Sequence, residues 1–198
     1  SSNKLVSGSF QMKIVAIVQA RMGSVRFPGK MMALLVGRPI IEWVLTRVAK
    51  AKLLDEIVLA TSVESEDARL CEFTEKMDVS VYRGSETDVL GRIRDAARSV
   101  DATAVVRICA DNPFVDPAEI DRIIQFYIDV LPDYAFNHLD KMGNGYADGF
   151  GAEILSRILL EKLANLDHEL ASREHVTRYI WSHPDQFMIR TFSAPKEI

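Results

Sequence analysis

Arg21, Arg26 and Lys30 place three cations within ten residues of a chain whose net charge is −4. They lie in the stretch Gln19-Ala20-Arg21-Met22-Gly23-Ser24-Val25-Arg26-Phe27-Pro28-Gly29-Lys30. Gly23 and Gly29 let backbone approach a ligand, and Ser24 adds a hydroxyl donor. Arginine forks onto two phosphate oxygens and lysine acts as a mobile point charge. A triphosphate needs that concentration of donors. The order G-x-x-x-x-G-K-[ST] fails because Met31 follows Lys30, and G-x-G-x-x-G is absent. On spacing alone a solvated basic turn remains the alternative.

The flanking elements decide whether such a loop can face a ligand. Lys13–Gln19 is an apolar, β-branched run of the kind found in buried parallel strands. Pro39 opens a helix with Ile40, Ile41, Val44, Leu45 and Val48 at helical spacing. Further strands are expected at 56–61, 79–82 and 103–109, with helices at 64–77, 88–100 and 118–130. Asp116 and Pro117 supply the cap and first-turn proline of the last of these. Strands alternating with helices at this spacing predict an α/β fold: a three-layer, doubly wound, mainly parallel sheet. Ligands of such sheets bind beyond the carboxyl ends of the strands, where the loop after the first strand lies.

After Leu131 the alternation breaks. A strand is expected at 134–137, a glycine-containing loop at 138–149, a strand near 150–155, helices near 156–166 and 169–181, and a strand at 186–192. The chain divides into an expression remnant over 1–11 and a single domain over 12–198. Within it, 131–185 shapes the substrate side. Tyr134, Phe136 and Tyr146 are read as an apolar surface suited to a homodimer.

Composition bounds the rest. Apolar residues make up 48% and charged ones 26% of 198 residues, an ordinary globular balance. The acidic net charge speaks against a general nucleic-acid surface. No apolar run approaches the ~20 residues that span a bilayer. Cys71 and Cys109 are read as buried, reduced thiols of a cytoplasmic protein. His138, His168, His175 and His183 show no ligand spacing for zinc.

The stretch "VQARMGSVRFPGK" resembles the signature loop of cytidylyltransferases that activate acylneuraminate, Kdo and related sugars. The branch it looks closest to is that of spore-coat polysaccharide biosynthesis. Likeness recurs at "VYRGSETDVLGRIRDAA", "VVRICADNPFVDP", "DGFGAEIL" and "SREHVTRYI", covering most of Met12 to Ile189. The resemblance implies a Rossmann-like, GT-A-like nucleotidyltransferase, with Arg21, Ser24, Arg26 and Lys30 on the triphosphate and backbone of Ala20, Met22 and Gly23 near the nucleoside. It implies Arg83, Ser85 and Arg107 around the nucleotide, and Asp111 as ligand to Mg²⁺. Arg21, Lys30 and Asp111 would then carry the catalysis. Asp148, Glu153, Arg173 and His175 would meet the sugar. Thr87, Asp88, Arg92 and Arg94 are assigned to helix capping and solvated surface instead.

The reaction implied is attack of a sugar hydroxyl or sugar phosphate oxygen on the α-phosphorus of an NTP, releasing pyrophosphate. CTP is favoured by resemblance alone, since some related activators use guanosine. Related enzymes add a second metal-binding aspartate near the C-terminus, so the natural protein is expected to continue past Ile198. Two alternatives stay open: a GT-A-like glycosyltransferase, whose D-x-D motif Asp111-Asn112-Pro113 does not match, and a non-catalytic nucleotide-binding subunit.

Overall fold

A computed structural model describes residues 12–23 and 27–196, with the side chains of Leu170 and Ala171 left aside. The expectations for residues 1–11, Ser24 and Arg26 therefore lie outside the described residues.

Strand β1 (Ile14–Gln19) is buried along nearly its whole length. A two-residue hairpin, β2 (Leu34–Leu35) and β3 (Arg38–Pro39), leads into α1 (Ile40–Val48). Then follow β4 (Glu56–Ser62), α2 (Ala68–Glu75), β5 (Ser80–Gly84), α3 (Val89–Ser99), β6 (Ala104–Cys109) and α4 (Pro117–Val130). The last part contains β7 (Tyr134–Phe136), β8 (Glu153–Ser156), α5 (Arg157–Leu166), α6 (Leu170–Arg173), α7 (Arg178–Ser182) and β9 (Ile189–Arg190).

The main sheet has seven strands in the order β5-β4-β1-β6-β8-β7-β9. β8 is antiparallel to both its neighbours, and the other pairings are parallel. Side chains of β1 alternate between two cores, because successive residues of a strand point to opposite faces. Ile14, Ala16 and Val18 meet α1, α2 and α4, whereas Val15 and Ile17 meet α3, α5 and α7. That is the expected three-layer arrangement.

Helix starts follow local chemistry. The Asp88 carboxylate accepts from Gly91 N–H at 2.9 Å to begin α3. Asp116 accepts from Ala118 N–H at 2.8 Å ahead of Pro117, and Ser156 does the same for Leu159 at 3.0 Å.

Four expectations are corrected here. The helix expected at 169–181 is two short pieces, α6 and α7. Between them the i→i+3 bonds His175 N–H to Ser172 (3.0 Å) and Arg178 N–H to His175 (2.8 Å) tighten the chain and turn it. The strand expected at 186–192 is only β9. Tyr134, Phe136 and Tyr146 are buried within their own chain, since the sheet and the loop that returns over it cover them. Their expected role as an exposed dimer surface is lost with that burial. Cys71 is buried as expected, but Cys109 is exposed. Among the described residues no helix is long and apolar enough to cross a membrane.

The connection from β1 runs to β4 on one side, while β6 pairs with β1 on the other. The loops leaving β1 and β6 both lead to helices on one face of the sheet, α1 and α4, and the crevice lies over the carboxyl ends of these two strands, where the strand order reverses. This is the topological switch point where doubly wound sheets bind ligands.

Candidate active site

The loop after β1 is held at both ends. Asp67, 1% exposed, accepts from Met22 N–H at 2.6 Å and Ser62 N–H at 3.1 Å, and its second oxygen also receives the Ser62 hydroxyl. Gly29 N–H donates to the Met22 carbonyl at 3.0 Å and closes the loop on itself. Gly29 stands at φ 73°, the left-handed region glycine adopts without a Cβ penalty. A 3₁₀ turn over Lys30–Met32 follows, and the buried Met31 side chain anchors it. Ala20 is buried, and its N–H donates to Ala60 of β4 at 3.3 Å.

Both described loop cations meet carboxylates. Lys30 Nζ lies 3.4 Å from Asp111 Oδ1, across the mouth of the crevice. Asp111 follows β6, its side chain 67% exposed, so its carboxylate stays available to a ligand. Arg21 Nη1 pairs with Glu86 Oε1 at 3.0 Å. Gly23 sits where a Cβ would stand 2.4 Å from Glu66 Oε1 and 3.4 Å from Glu86 Oε1. A side chain here would displace the Glu66 carboxylate, which glycine leaves in place beside the loop.

The segment after β5 borders the same crevice. Arg83 donates from Nε to the Ser62 carbonyl (2.9 Å) and from Nη2 to that of Glu64 (2.8 Å), bracing the turn after β4. Ser85 Oγ accepts from Asp88 N–H at 3.0 Å. Arg92, expected to be solvated, is 2% exposed. Its Nη1 donates to the carbonyls of Ser85 (2.6 Å) and Glu86 (3.3 Å), so it shapes the backbone that carries Ser85. Arg94 pairs with Asp95 at 2.8 Å.

On the other side of β1, Arg107 and Glu153 face each other from paired positions of β6 and β8. Arg107 Nη1 donates to Glu153, and its Nε donates to Gln19 Oε1 at 3.2 Å. Glu153 also accepts from the Tyr134 hydroxyl at 2.6 Å. Burial alone would push this carboxyl up, but the Arg107 guanidinium, the nearby His138 and the Tyr134 hydroxyl outweigh it and hold it below its usual range.

Of the four residues expected at the sugar, only Glu153 lines this pocket. Asp148 is exposed on the loop ahead of Gly149. Arg173 is 8% exposed, and its guanidinium is fully committed elsewhere. Nε and Nη2 fork onto Asp88 at 2.8 Å each, and Nη1 donates to the carbonyls of Ala164 (2.7 Å) and Asp167 (2.8 Å). His175 is exposed in the turn between α6 and α7. Arg173 and His175 are thus not brought together with Glu153.

Asp67, Glu86 and His138 belong to this region and had no signal in the sequence. Asp67 reads as a helix-start acid, yet its partner Met22 is 45 residues away. Contacts of that range leave no periodicity.

Among the described residues no group of three or more His, Cys, Asp or Glu side chains could hold a metal ion. Asp111 fits a hard cation that takes the rest of its oxygen ligands from phosphate and water.

A doubly wound sheet that sets a first-loop lysine against a carboxylate beyond β6, at the switch point, defines an α/β protein that takes its ligand at the carboxyl ends of its strands. Residues 15–195 match the cytidylyltransferase family, and the chain belongs to it. Spore coat polysaccharide biosynthesis protein SpsF of Bacillus subtilis is 33% identical over 188 residues, covering 92% of this chain and 76% of that protein. A 3-deoxy-manno-octulosonate cytidylyltransferase of Geobacter metallireducens is 38% identical over 115 residues, 57% of this chain and 44% of that enzyme. The structure of a cytidylyltransferase from Leptospira borgpetersenii superposes with a TM-score of 0.87 at 29% identity, covering 93% of this chain and 77% of that one.

Proposed function

We propose that this cytidylyltransferase activates a sugar or sugar acid with CTP for surface or spore-coat polysaccharide synthesis. An acceptor oxygen attacks the α-phosphorus of the nucleotide, and pyrophosphate leaves. The observation that carries the reading is the Lys30–Asp111 pair, which sets a cation and a carboxylate where the β1 and β6 loops meet.

Phosphoryl chemistry of this kind asks the protein mainly for positioning and charge neutralisation. Arg21 and Lys30, with Ser24 and Arg26, hold the triphosphate and stabilise the departing pyrophosphate. The backbone of Ala20 to Gly23, with Arg83, Ser85 and Arg107, surrounds the rest of the nucleotide. Asp111 would hold Mg²⁺, and the ion would supply charge neutralisation to the phosphates. Lys30 leaves Asp111 for the triphosphate as the nucleotide enters, so one exchange of partners frees both groups. Glu153 and Asp148 mark the sugar side.

Pyrophosphate release measured with CTP, GTP, UTP and ATP, with and without Mg²⁺, tests the proposal. Each nucleotide is offered with a sugar acid or a sugar phosphate. The expected result is Mg²⁺-dependent release with CTP that requires the acceptor. Release with no nucleotide, or release indifferent to the acceptor, overturns it.

A further inference from the structure

A cavity of about 160 Å³ opens between β6 and β8, lined by Arg107, Asn112, His138, Gly149, Gly151 and Glu153 among others. That is room for about five waters at bulk density, enough for part of one sugar ring. It adjoins the crevice, since Asn112 directly follows Asp111.

Charge within this cavity is already balanced. Arg107 is held by Glu153 and Gln19, and Glu153 also accepts from Tyr134. An anionic group entering here would compete with a buried carboxylate for its guanidinium and leave a buried charge unpaired, a costly arrangement. Arg173, which would have been the other cation, is spent on Asp88.

One polar atom is left over. His138 Nδ1 is buried and has no hydrogen-bond partner among the described residues. The imidazole packs edge-on against Phe136, with centroids 6.1 Å apart. The His138 carbonyl receives Gly149 N–H at 2.8 Å, so backbone and ring are both held. Buried polar atoms without a partner are rare, and each calls for a ligand or water. The glycines keep the cavity open. A Cβ on Gly149 would stand 1.4 Å from Asn112 Nδ2, and one on Gly151 would stand 2.2 Å from Asn137 Oδ1.

We infer that this cavity receives an uncharged, hydroxyl-bearing face of the acceptor, and that His138 Nδ1 shares a hydrogen bond with a sugar hydroxyl there. The inference rests on the sugar-activation reading. Any carboxylate or phosphate of the acceptor then lies outside the cavity, toward the open crevice.

Steady-state kinetics of wild type, His138→Ala and His138→Asn test it, with CTP varied separately from a panel of neutral sugars, sugar acids and sugar phosphates. For whichever acceptor wild type uses, His138→Ala is expected to raise its KM at least ~10-fold, the loss of one hydrogen bond to the ligand. The KM for CTP stays unchanged, and the melting temperature, which lost packing on Phe136 lowers, is recorded so that the acceptor KM is read on folded enzyme. His138→Asn, which keeps a polar atom close to the Nδ1 position, restores most of the affinity. Wild-type turnover with an unchanged acceptor KM in His138→Ala overturns the inference alone. So does an equal change in the KM for CTP. No turnover with any acceptor, while calorimetry shows CTP bound, overturns the sugar-activation reading and this inference with it.

Discussion

Lys30 Nζ stands 3.4 Å from the Asp111 carboxylate and 3.5 Å from the Asp111 carbonyl, joining two loops 81 residues apart. The contact is half open to solvent, so it adds little to stability and its partners exchange at low cost. Asp111→Asn is therefore expected to keep the fold. Without the charged ligand, Mg²⁺-dependent turnover falls by at least about a hundredfold. Nucleotide binding measured without metal is retained or tightened, because a carboxylate that repels phosphate is gone and Lys30 is free. Pyrophosphate release at the wild-type rate would reduce Asp111 to a turn residue before Pro113.

The loop cations are testable by binding alone. Lys30→Ala and Arg21→Ala each remove one charged donor from an exposed loop and no core contact. Each is expected to weaken CTP binding by about tenfold or more, the scale of one hydrogen bond to a charged group. Calorimetry reads the affinity and a thermal melt checks the fold. Undiminished CTP binding in either variant contradicts the phosphate role of that residue.

Asp67 ties Met22 to the end of β4 through three donors. Asp67→Ala leaves those donors buried and unpaired. Unfolding in urea should show a loss of about 1–3 kcal/mol. CTP affinity should fall as well, although Asp67 touches no phosphate, because the loop loses its anchor. Normal stability in this variant would mean that water replaces the carboxylate.

Glu153 gives a pH signature. Its carboxyl is held below its usual range in the fold, so between the folded and unfolded values the unfolded chain binds more protons. The stabilisation is complete above the ordinary carboxylate value of about 4.3 and is lost as pH falls through the lower folded value. Urea midpoints should thus hold between pH 7 and about 5, then drop more steeply in wild type than in Glu153→Gln. At neutral pH the variant should lose about 3 kcal/mol, since Arg107 keeps its charge without its partner. Parallel pH profiles for the two proteins would argue against the pairing.

What the sequence disclosed and what it hid divide along range of interaction. The β1 run and the helix-spaced apolar residues of α1 expressed burial through period, and the alternation of strands with helices pointed to the layered sheet. Asp116 and Pro117 announced a helix start because capping is local. Lys30 and Asp111 were singled out by residue type and resemblance, and the topology then brought them together. Arg173 and Arg92 went the other way. Both are arginines in polar stretches, and nothing within a few residues says that one clamps Asp88 and the other threads under Ser85 and Glu86. Tyr134 and Phe136 were misplaced for a similar reason. A three-residue strand shows no alternation from which to tell an inner face from a surface.

The fork from Arg173 to Asp88 bridges 85 positions of the chain. It fastens the last third of the polypeptide to the first turn of α3, beside the segment that carries Ser85. During synthesis, then, β1 through β6 can leave the ribosome with their own helices, yet that turn lacks its charged partner until residue 173 has emerged. A nascent chain arrested before that point would keep the local cap of α3 but leave the Asp88 carboxylate without its arginine, and the rim of the crevice unfinished. Completion of the crevice rim is thereby tied to the arrival of residue 173.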